Sequence, residues 1–231
     1  MINKKIFVAC DTSSLNNIKK IINQIKTNKL KLIPKFGLQF FYSKDGRKFL
    51  QNFKKDFWLD LKINDIPQTA LSAIDSIKDL KNCKYITVHA NGGLEMLKAV
   101  KKKAKEKNKN LKVLGVTILT SLNNKSLKEI GHTKKVEQLV LEQADLIKKA
   151  NLHGIVCAAG LEAKAVRKRH KNLFIVTPGI RLPGDKADDQ SRVFTPYDAL
   201  INNNVSAVVM GRSIVKGNIK NNIKRLIAHL N

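Results

Sequence analysis

The stretch FWLDLKINDIPQT, residues 57–69, joins an apolar run to the start of an amphipathic segment. Aromatic and aliphatic residues dominate its first half, residues 57–62, and this composition is typical of a buried strand. In its second half Asp65 is predicted to cap a helix, with Pro67 tolerated in the first turn. Apolar residues then recur at helical spacing over 66–80. The stretch therefore predicts a strand followed by a helix, which is the repeating unit of α/β folds.

The same alternation continues along the chain. Further helices are predicted at 15–27, 44–53, 93–107, 134–150, 161–170, 196–203 and 218–230. Nearly continuous apolar runs, typical of strands covered on both faces, predict strands at 6–10, 30–37, 57–62, 84–90, 112–120, 153–158, 173–180 and 206–211. Eight strands alternating with helices predict an α/β fold, a (β/α)8 TIM barrel, as one domain over residues 1–231. The alternative is a doubly wound sheet, which usually has a glycine-rich turn after its first strand. Here Cys10-Asp11-Thr12 follows that strand.

Composition indicates a protein with a substantial core and no membrane partner. Hydrophobic residues make up 43% of the 231 residues, and no apolar run reaches the length of a membrane span. The lysine-rich N-terminus lacks the apolar region of a signal peptide. Three widely spaced cysteines form no metal-ligand motif and fit reduced thiols. These features predict a soluble, cytoplasmic protein.

The formal net charge of +26 raises the question of a nucleic-acid partner. Lysine outnumbers arginine 37 to 7, and the lysines are scattered along the whole chain. A dedicated nucleic-acid surface usually clusters arginines and interleaves them with aromatic residues. The charge is therefore interpreted mainly as a bias in amino-acid usage, with no dedicated nucleic-acid function, although it can steer anionic substrates.

Polar residues stand where the predicted strands end, which is where a TIM barrel places its active site. Asp60 and Lys62 are two residues apart, so on a regular strand their side chains point to the same face. With Lys35 and Asp65 they would form a charge-balanced network, either catalytic or purely structural. The residues read from the strand ends and the loops just beyond them are Asp11, Lys35, Asp60, Lys62, Asp65, His89, Thr120 and Ser121.

A phosphate site is predicted at the loops after the seventh and eighth strands, where barrels often bind phosphate. Arg181 follows the seventh strand, and Gly211-Arg212 follows the eighth. Glycine permits close backbone approach and arginine can bind phosphate with two hydrogen bonds. The polar loop at 182–194 has the length and composition of a mobile lid, from which Gln190 could reach a ligand.

These motifs together resemble the orotidine 5′-phosphate decarboxylase family, and the resemblance covers almost the whole chain. Its most specific element is DLKINDIPQT, residues 60–69, which resembles the family signature D-L-K-x-x-D-I-P-N-T. Supporting segments occur in the family's order: KFG at 35–37, VHANGG at 88–93, LTS at 119–121, TPGIR at 177–181, DQSR at 189–192 and GRSI at 211–214.

The resemblance implies a homodimeric enzyme that converts orotidine 5′-monophosphate to UMP, the last step of de novo pyrimidine synthesis, without metal or organic cofactor. It implies that Lys62 is the proton donor and that Asp60 lies near the substrate carboxylate. Lys35 and Asp65 would complete the charged set, with Asp65 and Thr69 reaching the neighbouring subunit's site. The implied substrate-binding residues are Asp11, Lys35, Asp60, Thr69, Thr120, Ser121, Arg181, Gln190, Gly211 and Arg212.

Three alternatives remain open from the sequence. Sugar-phosphate enzymes of the same superfamily share the D-x-K-x-x-D pattern but depend on magnesium and carry an acidic ligand on the second strand. This chain has Lys35 there, and a charged lysine is a poor metal ligand. A nucleic-acid-binding barrel predicts salt-dependent RNA binding without turnover. A purely structural barrel predicts that replacing Lys62 changes stability only.

Overall fold

The structure, a computed structural model, describes residues 4–185 and 193–231. Eight parallel strands form a closed barrel in which each strand pairs with its neighbours in chain order and β8 pairs with β1. The strands are β1 Lys5–Ala9, β2 Lys31–Gly37, β3 Phe57–Ile63, β4 Cys83–His89, β5 Lys112–Val116, β6 Gly154–Val156, β7 Phe174–Thr177 and β8 Ala207–Met210. The predicted TIM barrel is confirmed.

Helices surround the barrel and are joined to the strands by short loops. They are α1 Leu15–Gln24, α2 Leu38–Phe41, α3 Gly46–Asn52, α4 Pro67–Ser76, α5 Gly93–Lys107, α6 Asn124–Glu129, α7 Val136–Lys149, α8 Leu161–Arg169, α9 Arg212–Val215 and α10 Ile219–Leu230. A 3₁₀ turn spans Ala90–Gly92 and a π-helical turn spans Asp198–Asn202. None of the helices in the described ranges is long and apolar enough to cross a membrane.

The core has two layers because successive strand residues alternate between the barrel interior and the helices. The outer layer, between strands and helices, includes Ile6, Val8, Phe36 and Leu59. The inner layer fills the barrel with a separate cluster of buried side chains, which comprises Phe7, Ala9, Ile33, Trp58, Tyr85, Leu114, Val116, Val156, Val176, Ala207 and Val209. The interior is therefore packed, and ligands can enter only at its ends.

Three differences from the predicted elements have local causes. The apolar run at 112–120 predicts a longer strand, but β5 ends at Val116 because the chain leaves the barrel wall there. Asp65 was predicted to cap α4; instead Ile66 is the N-cap residue, and Asp65 Oδ1 accepts a hydrogen bond from the Ile66 N–H at 2.7 Å. The short helices α2, α6 and α9 are not predicted, since four to six residues carry little periodicity.

Candidate active site

A pocket of about 470 Å³ opens at the C-terminal ends of the strands. Trp58, Val116 and Val209, which belong to the inner core, contribute apolar walls to it. Charged and polar residues complete the lining: Asp11, Lys35, Asp60, Lys62, Thr120, Arg181 and Arg212, together with Gly179 and Gly211. The pocket is an apolar cleft with a few convergent charges, the usual form of a small-molecule site.

A chain of ion pairs runs across one side of the pocket. Lys35 Nζ lies 3.4 Å from Asp11 Oδ1 and 3.2 Å from Asp60 Oδ2. Lys62 Nζ lies 2.8 Å from the same Asp60 oxygen. The side chains of Lys35 and Asp60 are 8% and 9% exposed, whereas that of Lys62 is 34% exposed. The buried Lys35–Asp60 pair therefore holds Lys62 in place, and the Lys62 ammonium remains accessible to a ligand.

Mutual attraction keeps this network charged although burial opposes it. Burial disfavours the charged form of Asp60, but Lys35 and Lys62 outweigh this effect and lower its pKa below the usual 3.8. Burial likewise disfavours the charged form of Lys35, yet Asp60 and Asp11 raise its pKa above 10.5. At neutral pH the pocket therefore presents fixed charges in a partly dry environment, where electrostatic interactions are strong.

The backbone of β3 is irregular where it carries these charges. Its pairing with β4 shifts register between Leu59 and Ile63, and Lys62 adopts the left-handed region with a φ of 50°. A non-glycine residue in this region is strained unless its surroundings hold it there. The contact between Asp60 and Lys62 therefore does not arise from regular strand alternation, on which the sequence prediction rested.

Thr87 on β4 holds both charged residues, and sequence reasoning missed it. Its hydroxyl donates to Asp60 Oδ1 at 2.8 Å and accepts a hydrogen bond from the Lys62 backbone N–H at 2.9 Å. The side chain is fully buried. The only sequence signal is a polar residue within the apolar run of β4, which alone does not identify a partner.

The two predicted phosphate-binding arginines follow β7 and β8, on the far side of the barrel from β3. Arg181 is buried and Arg212 is exposed, and both line the pocket beside Gly211. The loops that carry them are joined by the Ser213 hydroxyl, which accepts a hydrogen bond from the Leu182 N–H at 3.3 Å. Both arginines therefore share one pocket with Lys62.

The remaining predicted residues lie around this pocket in different ways. Thr120 lines it, while Ser121 is exposed one residue beyond the lining. Asp65 and Thr69 are exposed at the start of α4 and are not among the lining residues. Asp65 makes no ion pair with another residue of the described ranges; Asp11 is the second carboxylate that contacts Lys35. Gln190 lies outside the described residues.

A TIM barrel whose catalytic end combines a lysine–aspartate network with two arginines in one pocket has the form of an enzyme for a small anionic substrate. Comparison with known proteins narrows this class. Residues 4–224 match the family model described as "Orotidine 5'-phosphate decarboxylase / HUMPS family". The chain therefore belongs to this family.

Individual relatives agree with the family assignment. A Wolbachia protein, from the strain associated with Brugia malayi, is named orotidine 5′-phosphate decarboxylase; it is 39% identical over 225 residues, 96% of each chain. A Malacoplasma penetrans protein of the same name is 34% identical over 222 residues, 94% of each chain. The crystal structure of the Lactobacillus acidophilus orotidine 5′-phosphate decarboxylase superposes with a TM-score of 0.81 at 28% identity, covering 99% of both chains.

Proposed function

We propose that this enzyme removes CO₂ from orotidine 5′-monophosphate to give UMP, the last step of de novo pyrimidine synthesis. The observation that carries the proposal is the Lys62 ammonium, held 2.8 Å from buried Asp60 in a pocket that also contains Arg181 and Arg212. These groups match the two ends of the substrate: a reacting carboxylate on the base and a phosphate on the ribose.

The chemistry requires a positive charge near C6 of the pyrimidine. When the C6–carboxylate bond breaks, its electron pair stays on C6, because no ring carbonyl is placed to absorb it. The ammonium of Lys62 stabilises this developing negative charge and then transfers a proton to C6. The products are CO₂ and UMP, and solvent later returns a proton to the lysine.

Asp60 has two roles in this scheme. Its carboxylate orients the Lys62 ammonium through the ion pair at 2.8 Å. It also stands near the position of the substrate carboxylate, whose repulsion from Asp60 is relieved when CO₂ leaves. Lys35 balances the charge of Asp60 and, with Asp11, is placed to contact the ribose.

The other end of the substrate is assigned to the arginine side of the pocket. Arg181, Arg212 and the backbone at Gly211 would bind the phosphate, with Gln190 closing from the lid segment. Thr120 and Ser121 would contact the pyrimidine. Because phosphate is far from C6, its binding energy can position the base and help to close the site.

We further propose a homodimer in which each subunit completes the other's site. Asp65 is exposed and is absent from the pocket lining of its own chain, and the adjacent Ile66 is 66% exposed. Leu38 and Tyr42, in and just after α2, are also exposed apolar residues. A symmetric contact at this face would cover them and carry Asp65 and Thr69 toward the neighbouring pocket.

Subunit complementation tests the shared site. Lys62→Ala and Asp65→Ala homodimers should each be nearly inactive, whereas mixing them with subunit exchange should restore about a quarter of wild-type activity, because half of the pairs are mixed and each has one intact site. Activity is followed as UMP formation before and after exchange. Mass spectrometry of differently tagged subunits confirms the exchange. Mixed dimers that remain inactive would exclude sharing of the site.

Thr87 is expected to position the catalytic pair. Thr87→Val keeps the shape but removes both hydrogen bonds, so we expect kcat to fall about tenfold with little change in KM, and stability to fall by about 1–2 kcal/mol. Thr87→Ser retains the hydroxyl and should restore most of kcat. Steady-state kinetics and urea unfolding of both variants give the comparison. Wild-type kcat in Thr87→Val would remove Thr87 from the positioning role.

The reaction itself is tested by UMP formation from orotidine 5′-monophosphate with excess EDTA present. Robust turnover is expected, because the Lys35 ammonium occupies the space between Asp11 and Asp60 where a divalent cation would otherwise bind. No turnover by folded enzyme, followed by activity on sugar phosphates with magnesium, would instead establish the magnesium-dependent reaction class. A cytoplasmic location is part of the proposal and agrees with the free thiols of Cys10, Cys83 and Cys157.

A further inference from the structure

A second group of charges lies at the N-terminal end of the barrel, opposite the pocket. Lys5, Lys31 and Lys112 each stand two residues before an inward-facing member of the inner core, so alternation directs them toward the barrel axis. Lys5 and Lys31 are paired in register on β1 and β2. Lys112 starts β5, on the opposite wall of the eight-stranded barrel.

Two of these ammonium groups converge on one aromatic platform. Lys5 Nζ lies 5.2 Å from the ring centroid of Phe174, and Lys112 Nζ lies 5.6 Å from that of Tyr85. The two rings are stacked with centroids 6.2 Å apart. The His153 ring packs against the same platform, 5.1 Å from Phe174. Cations from opposite walls are thus held close together at the barrel end.

No carboxylate in the part of the chain that the structure describes pairs with these three lysines. Within residues 4–185 and 193–231, the side chains of Lys5, Lys31 and Lys112 make no ion pair or hydrogen bond, whereas Lys35 at the other end has two carboxylate partners. Asp56, whose charge acts on neighbouring Tyr85, pairs instead with Lys84 at 3.7 Å. Burial and the charges of Lys112 and Lys31 lower the pKa of Lys5, and burial with the nearby lysines lowers the pKa of His153 to about 4.

We propose that Lys5, Lys31, Lys112 and His153, the basal cluster, form a binding site for a polyphosphate anion. Side-by-side like charges are destabilising on adjacent strands, so an anion placed between them relieves a repulsion that the fold leaves in place. A chain of phosphates carries several charges and can bridge lysines on facing walls, which a single carboxylate cannot. The Lys5 and Lys112 ammonium groups lie over the Phe174 and Tyr85 rings, so recognition is by charge, and the polyphosphate can be inorganic or part of a nucleotide.

The packed interior separates this site from the catalytic pocket. Phe7, Trp58 and Leu114 fill the barrel between the two ends and are at most 1% exposed. The basal cluster therefore binds its ligand independently of the substrate, and replacing its lysines leaves the catalytic groups untouched.

Calorimetric titration of the full chain with sodium tripolyphosphate, at constant ionic strength, tests the site. The double variant Lys5→Gln/Lys112→Gln should bind at least about tenfold more weakly than wild type. A matched control, Lys128→Gln/Lys224→Gln, removes the same charge from exposed helix positions and should keep wild-type affinity. Any binding at the catalytic arginines is common to all three proteins, so the comparison isolates the basal cluster. Circular dichroism verifies that each variant is folded.

The pKa of His153 gives a second readout, which reports where the anion binds. Protein NMR should show the pKa of His153 rising from about 4 when tripolyphosphate is added, since a bound anion favours the imidazolium form. Equal binding by ATP would show that the phosphate chain alone is recognised, and binding of tripolyphosphate without ATP would identify an inorganic ligand. Equal affinity in the double variant and wild type, or no binding by wild type, would overturn the proposal.

Discussion

Replacing Lys62 with alanine is expected to abolish decarboxylation, with kcat reduced by at least about 10⁴-fold, because both charge stabilisation at C6 and the proton donor are lost. The fold should survive. Lys62 is one-third exposed, and Asp60 keeps its ion pair with Lys35 and its hydrogen bond from Thr87. The measurement is single-turnover UMP formation, alongside urea unfolding to confirm that the variant is folded.

The matched control is Lys55→Ala, which removes an exposed lysine from the loop before β3. It should retain wild-type turnover, so any loss in Lys62→Ala is not a general effect of reduced positive charge. Lys62→Arg keeps a positive charge but is a far weaker proton donor, and should remain strongly impaired. Substantial turnover by folded Lys62→Ala would assign the proton donor to another group.

Replacing Asp60 with asparagine is expected to have the largest effect on stability, about 3–5 kcal/mol, because it leaves the buried Lys35 ammonium without its main counter-charge. Activity should also fall sharply, since Lys62 loses its partner. Urea unfolding at neutral pH gives the free-energy difference. The control is Asp11→Asn: Asp11 also contacts Lys35, but its side chain is 58% exposed, so its removal should cost less than about 1 kcal/mol. An equal loss of unfolding free energy in Asp60→Asn and Asp11→Asn would contradict the conclusion that the buried Lys35–Asp60 pair stabilises the fold.

The stability difference between wild type and Asp60→Asn should depend on pH with a definite sign. The pKa of Asp60 is lowered in the folded state, so its contribution is complete above 3.8 and is lost as pH falls through the folded value. The pKa of Lys35 is raised, so its contribution is complete below 10.5 and is lost as pH rises through the folded value. The difference should be widest between these limits. Urea unfolding across the acid and alkaline ranges measures it, and a flat profile would contradict the assignment.

The fold was predictable because strand and helix periodicities are local. Seven of the eight predicted strands agree with the structure to within a few residues, and only the end of β5 was placed clearly too late. The apolar residues at 117–119 have strand-like composition, but leaving the barrel wall depends on pairing with β6, which stops at Val156. Composition cannot report where a neighbouring strand ends.

The candidate site was predictable in its residues but not in its geometry. Strand-end reasoning found Lys35, Asp60 and Lys62, because a barrel collects whatever polar residues end its strands. It could not find the shift of β3 against β4 or the left-handed backbone of Lys62, since both depend on contacts across strands. The hydroxyl of Thr87 was missed for the same reason: its partners are 25 and 27 residues away in sequence.

Lys35 places a positive charge permanently between the carboxylates of Asp11 and Asp60. The positive charge at this position belongs to the Lys35 side chain on β2 and not to a dissolved cation. It cannot dissociate, be chelated or be exchanged for another ion, so every folded molecule carries it in full. The positive charge between Asp11 and Asp60 is therefore in place as soon as the chain has folded.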